Sequence, residues 1–234
     1  MKLKKKAKIF YENSYQKKGL DSQRKYPNEE LCRFFGRNFF PIKFKERNKI
    51  KILETGSGTC GNLKMISKEG FGAYGIDFSK QAISLSKKLF KYEKLKGHFQ
   101  VGDFTSMNYK NSYFDCVVDV FSSCTLDRTD GLKYIQEVNR VLKKGGKFFS
   151  YFPSKKSKMF NLKSRKLHDK DTLISVKEKS AYNTDHSLRF MKMHEYDHLL
   201  VKNNFKVKYK EELMKTYFSG KEKFYFLIIE AVKI

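Results

Sequence analysis

The 234-residue chain holds four cysteines, three prolines and no long apolar run, and each scarcity narrows what it can be. No stretch approaches the 18 or more apolar residues of a membrane-spanning helix. Cys32, Cys60, Cys116 and Cys124 form no C-x-x-C pair and have no histidines interleaved at zinc spacing. Free thiols in a reducing cytoplasm are therefore expected, with no metal site. The opening MKLKKKAKIFYENSY is basic but lacks an apolar segment and a small-residue cleavage site, which argues against a secretory signal. Acidic residues are few: 25 against 50 basic ones, for a net charge of +25. Arginine is scarcer still, at eight, although arginine is what forks onto phosphate and guanine. Lysines scattered along the whole chain read first as a compositional bias and second as an attraction to an anionic partner. Against these scarcities stand 22 phenylalanines and a hydrophobic fraction of 40%, enough for one domain with a proper core.

Residues 8–20 and 27–40 read as short amphipathic helices, the second opened by Pro27. From residue 49 strands and helices alternate. Strands are expected at 49–54, 73–77, 99–102, 114–120 and 147–152, with helices at 62–69, 80–92 and 128–142. Ser79 is a natural N-cap, and the continuous apolar run FDCVVDV suits a central parallel strand. The polar, basic stretch 154–187, with its weakly alternating DTLISV, breaks the rhythm and reads as an insertion or lid. A helix at 194–203 precedes a strand at 205–210 and a strong terminal strand in KFYFLIIEAVKI. Two consecutive strands without a helical crossover imply an antiparallel hairpin at the sheet edge. The expected fold is α/β: a Rossmann-like, seven-stranded, mostly parallel sheet with an antiparallel C-terminal strand pair and helices on both faces. It forms one domain, with residues 1–45 as a helical cap.

The stretch ILETGSGTCGN carries the functional question. Gly56, Gly58 and Gly61 fit the G-x-G-x-x-G loop of a dinucleotide site, and the same residues with Glu54 fit a loop that holds S-adenosylmethionine. Asp77, ending the second strand, would take ribose hydroxyls in either case. Three features discriminate. Glu54 puts a carboxylate beside the turn, where it repels a pyrophosphate and favours a cationic ammonium or sulfonium. Asp103 in VGDF is placed to accept from an adenine amino group. The terminal strand pair is foreign to a dinucleotide domain.

On LETGSGTCGN, YGIDFS, GDF, YFDCVVDVFS and VNRVLKKGGKFFSYFP the chain resembles the class I S-adenosylmethionine-dependent methyltransferases. The resemblance covers residues 50–152 well and the terminal strands more loosely. It implies that Gly56 and Gly58 let the methionine moiety lie against the loop. Glu54 would fix the amino group, directly or through water, and Asp77 would take the ribose. Asp103 and the Phe104 backbone would hold adenine, with Phe78 leaning on its face. Val120 and Phe121 would border the methionine tail and the methyl group. S-adenosylhomocysteine is the product. One departure stands out: the family's third glycine falls at Cys60, which leaves the role of Gly61 open.

Methyl transfer from a sulfonium needs a base only when the acceptor must lose a proton. The N/D-P-P-Y/F tetrad of amino methylation is replaced by Asp119-Val120-Phe121-Ser122, and no proline precedes a cysteine as cytosine carbon methylation requires. A small, anionic or nucleotide-linked acceptor is expected, ahead of nucleic acid. The N-terminal pattern, together with the glycine loop, is similar to bacterial methyltransferases of surface-polysaccharide loci, which implies O-methylation of a sugar or phosphate-linked precursor. An RNA methyltransferase, and a non-catalytic S-adenosylmethionine-binding partner protein, are the alternatives. Tyr11, Tyr15, Tyr182 and Asp185 are the candidate acceptor contacts, with Asn183 beside them. His186 is the candidate base, Asp119 the next, and the lysines of 155–166 could face phosphates.

Overall fold

The computed structural model describes residues 3–175, 180–182 and 184–234. Helix α1 (Leu3–Lys18) and α2 (Glu29–Asn38) open the chain, and a one-turn helix, α3 (Phe44–Arg47), leads into the sheet. Then come β1 (Lys51–Thr55), α4 (Gly61–Lys68), β2 (Gly72–Asp77), α5 (Lys80–Tyr92), β3 (His98–Val101), β4 (Phe114–Val120), α6 (Arg128–Val141) and β5 (Leu142–Pro153). Three short strands follow: β6 (Leu167–Asp169), β7 (Thr172–Leu173) and β8 (Leu188–Arg189). Helix α7 (Met193–Lys202) and the long strands β9 (Phe205–Tyr217) and β10 (Glu222–Lys233) close the chain.

The main sheet has the order β3-β2-β1-β4-β5-β10-β9, parallel except that β10 runs antiparallel to both neighbours. The expected seven-stranded sheet is therefore present, with β10 slotted inside the terminal hairpin and β9 at the edge. Right-handed crossovers carry α4 and α5 toward β3 on one face and α6 toward β5 on the other, because strand order reverses between β1 and β4. That switch point decides where a ligand can enter. Registers align Thr55 with Asp119, Asp119 with Ser150 and Val120 with Tyr151. The C-terminal ends of β1, β4 and β5 thus meet beside the loop that follows β1.

Local chemistry accounts for most boundaries. Ser79 caps α5, its hydroxyl accepting from the Ala82 N–H at 2.9 Å. Asn28, not Pro27, starts α2: its side-chain oxygen accepts from the N–H groups of Glu30 and Leu31. Proline lies two residues ahead of the helix rather than in its first turn. Helix α2 is bound to the sheet by aromatic burial, with the rings of Phe34 and Phe149 5.0 Å apart. Strand β9 runs to Tyr217, well past the expected end at 210, because β10 offers it a partner along that whole length. Strands β6 and β7 lie inside the expected 154–187 insertion and pair with β8, just beyond it, in a small antiparallel sheet. Val176 and Asn183 of that stretch lie outside the described residues.

Candidate active site

Beyond β1 the chain turns on glycines with left-handed backbone, at φ 66° for Gly56 and 50° for Gly58. A Cβ on Gly56 would sit 2.5 Å from the Ser122 side chain, so the loops after β1 and β4 touch there. Cys60 also has a positive φ, 66°, which explains why a glycine is expected at that position. Its thiol donates to the Ser86 hydroxyl at 3.0 Å inside the core. The role of Gly61 is now clear. A Cβ there would lie 2.5 Å from the Arg24 carbonyl oxygen, so glycine lets the segment between α1 and α2 cross the start of α4.

Two carboxylates face the space this loop encloses. Glu54 is 3% exposed, and its Oε1 accepts from Asn62 Nδ2 at 2.6 Å. Its Oε2 is buried with no partner among the described residues. Burial pushes its carboxyl up to about 8, helped by the nearby charges of Asp77 and Asp119. Asp77 accepts from the backbone N–H of Ser79 and of Gly58, both at 2.9 Å. Burial raises it to about 6, against the pull of those two hydrogen bonds.

Glu54, Asp77, Gly56, Phe78, Phe104, Val120 and Phe121 line one cavity of ≈ 1020 Å³, its open mouth included. Tyr11 and Tyr15 of α1 and Tyr182 of the insertion line the same cavity. Gly58 serves it from behind by orienting Asp77. Phe104 is held edge-on against Tyr134 with ring centroids 5.3 Å apart.

Four expected residues stand elsewhere. Asp103 does not line the cavity: Lys4 Nζ donates to it at 2.7 Å and Thr105 donates twice more. These bonds outweigh partial burial and hold its carboxyl below the usual range. His186 does not line the cavity: it is 3% exposed, its Nδ1 pairs with the Ser187 carbonyl at 2.8 Å, and its ring packs on Phe10 and Tyr11. Burial lowers its pKa. Asp119 is fully buried and accepts from Ser122 N, Ser123 N, the Ser123 hydroxyl and the Ser150 hydroxyl, so it ties the loop after β4 rather than facing a ligand. Asp185 is exposed and outside the cavity. In the basic stretch, Lys155 is paired with Asp171 and Glu195, and Lys156 with Glu212. Those two charges hold the insertion to α7 and β9 instead of facing a phosphate.

Residues not foreseen complete the wall. Tyr151 at the end of β5 and Arg24, Tyr26 and Asn28 between α1 and α2 all line the cavity. Asn62 links the two sides: its Oδ1 accepts from Asn28 N at 2.8 Å while its amide holds Glu54. The register of β5 against β4 was the available signal for Tyr151. Nothing local in the sequence marks Arg24.

Residues 52–146 match the model of a methyltransferase domain family. The fold is shared with a SAM-dependent methyltransferase of Methanosarcina mazei, at 22% identity over 79% of this chain and 92% of that one, with a TM-score of 0.66. A Pyrococcus horikoshii OT3 protein aligns at 20% identity over 88% and 92%, TM-score 0.64. Magnesium protoporphyrin IX methyltransferase of Synechocystis PCC 6803, solved with bound SAM, aligns at 14% identity over 100% and 84%, TM-score 0.58. No protein of curated function matches the chain in sequence. Residues 52–146 thus match a methyltransferase domain, on a fold shared with enzymes that depend on S-adenosylmethionine. The residues fit that cofactor. An orphaned, buried carboxylate oxygen suits an ammonium group, and a second carboxylate across the glycine loop suits a diol. Among the described residues no helix is long and apolar enough to cross a membrane, and no cluster of metal-ligating side chains occurs.

Proposed function

We propose that this protein transfers the methyl group of S-adenosylmethionine to a small polar acceptor, with a sugar or phosphate-linked surface-polysaccharide precursor as the acceptor class. The observation that carries the reading is the unpartnered Oε2 of Glu54, facing the same cavity as Asp77 across the Gly56–Gly58 turn. The acceptor class rests on the sequence resemblance and on a cavity wall of tyrosines that can stack and hydrogen-bond.

When bound, the cofactor supplies an electrophilic methyl on a sulfonium. Glu54 holds the ammonium, Asp77 the ribose hydroxyls, and Phe78 and Phe104 the faces and edge of adenine. Val120 and Phe121 border the methyl, and Phe121 does so with a strained, left-handed backbone at φ 59°. Helix α1 lays Tyr11 and Tyr15 over the cleft and excludes water, so that alignment supplies most of the rate. His186 packs on Tyr11 and does not line the cavity, so the proton released by a hydroxyl acceptor passes to water rather than to this imidazole. Residues 1–45 are the cap and 154–187 the insertion that contributes Tyr182.

Calorimetry tests the reading. S-adenosylmethionine and S-adenosylhomocysteine should bind, and NADH should not. Asp77→Ala should weaken binding by about 1–3 kcal/mol through loss of charge-assisted hydrogen bonds. Binding of NADH in place of both ligands would reverse the proposal.

A further inference from the structure

The cavity is electrically lopsided. Glu54 and Asp77 line it with carboxyl groups, and Arg24 is the cation among its lining residues. Arg33, Arg37, Arg47 and Arg140 are each ion-paired, to Glu30, Glu230, Glu69 and Glu137. The Arg24 side chain has no hydrogen bond or ion pair among the described residues, although it lines the cavity. The carboxylate whose ionisation it favours, Glu29, is already held by Lys215 at 2.6 Å.

A second unanswered group lies within its field. Tyr151 is 2% exposed and lines the cavity, and its hydroxyl has no hydrogen bond among the described residues. Burial raises its pKa strongly, so the phenol stays neutral and available as a donor, while the Arg24 charge works in the opposite direction. Tyr182 feels Arg24 as well, but its hydroxyl is taken by Tyr217 at 2.8 Å. The rings of Phe121 and Tyr182, 4.9 Å apart, form the apolar part of the wall.

A fork of guanidinium donors and a buried phenol aimed into one space match an oxyanion. We infer that the methyl acceptor carries a carboxylate or phosphate group, bound by Arg24 and Tyr151, and a ring or apolar body that lies against Phe121 and Tyr182. A neutral acceptor would leave both the Arg24 charge and the Tyr151 hydroxyl, which line the cavity together, without a ligand group to answer them. This deepens the function proposed above and rests on it. Arg24 and Tyr151 are binding residues here: they anchor the acceptor and leave the cofactor end untouched.

The test uses protein saturated with S-adenosylhomocysteine and three probes of one size: benzoate, phenyl phosphate and benzyl alcohol. Ligand-observed NMR or calorimetry should show at least one anion binding about tenfold or more tighter than the alcohol. Which anion wins separates a carboxylate acceptor from a phosphate one. In Arg24→Gln the preference should vanish while S-adenosylhomocysteine affinity stays at the wild-type value, and Tyr151→Phe should weaken the anion several-fold. Equal binding of the alcohol, binding of neither anion, or an anion preference that survives Arg24→Gln would overturn the inference. Failure of S-adenosylhomocysteine to bind wild-type protein would instead overturn the proposed function, so the two are distinguished in one experiment.

Discussion

Glu54 makes cofactor binding a proton-linked event. Its carboxyl is pushed up to about 8 because burial disfavours the charged form and Asp77 and Asp119 add like charge. At pH 7 a group with that value is about 90% protonated. Capturing an ammonium requires the carboxylate, so binding should expel about 0.9 proton at pH 7, and affinity should rise about ninefold from pH 6 to 7 and about fivefold from pH 7 to 8. Above 8 the gain should level off. Asp77, near 6, contributes only at the acid end of this window. Calorimetric titration of S-adenosylhomocysteine in two buffers of different ionisation enthalpy measures the proton count directly. Stability moves the other way. A carboxyl raised on folding contributes stability that is fully present below its unfolded value, near 4.5, and is lost as pH rises through about 8. The ligand-free protein should therefore melt lower at pH 8.5 than at pH 5.5, and the thermal shift given by S-adenosylhomocysteine should grow over the same range. Glu54→Gln should abolish both the proton release and the steep pH dependence of affinity. A wild-type protein that releases no proton at pH 7, or a Gln variant that releases as many, would refute the assignment of Glu54 to the ammonium.

Gly61→Ala should cost about 1–3 kcal/mol in denaturant titrations and loosen the segment over α4, since its Cβ meets the Arg24 carbonyl at 2.5 Å. Gly36→Ala, in α2 with nothing within 4 Å of the added carbon, should instead hold or gain stability by up to about 1 kcal/mol. Asp119→Ala should lower stability by about 3 kcal/mol, because it strands the N–H groups of Ser122 and Ser123, while the pH–rate profile of the folded fraction keeps its shape. His186→Ala should reduce turnover less than about tenfold. A fall of a hundredfold, with loss of one limb of the pH profile, would restore it as a proton-transfer group.

The sheet and the glycine turn after β1 were legible because each is written in local chemistry. Apolar runs mark β1, β4 and β10, the Ser79 cap marks α5, and glycines followed by a helix mark the loop. The acceptor end was not. Proximity in sequence suggested that Tyr182, Asn183, Asp185 and His186 act together, yet Tyr182 alone lines the cavity. His186 turns inward to the rings of α1 and Asp185 turns out, while Asn183 is not described. Asp119 was misread for a different reason. A carboxylate at a strand end facing a cleft and one tying the next turn look alike until the hydrogen bonds of Ser122, Ser123 and Ser150 are counted. Arg24 sits in a connection whose path is set by contacts with Gly61 and Asn62, far along the chain. Such positions follow from tertiary packing and have no periodicity to read.

The distribution of charge, rather than its total, separates the two ligands. A net charge of +25 surrounds the cleft with a field that attracts anions and repels a cationic cofactor. Many lysines are neutralised locally, as Lys64 and Lys68 are by Glu93 and Lys155 by Asp171, so the long-range field is screened within about a Debye length of the surface. Inside the cavity, where screening is weak, the sign reverses at Asp77, and at Glu54 once it gives up its proton to bind a cation. On the proposed reading, the cationic cofactor is held at the desolvated carboxylates and an anionic acceptor at Arg24, both within one cavity. That sorting needs no conformational change, only the asymmetry between an acidic strand end and a cationic connection laid across it by Gly61.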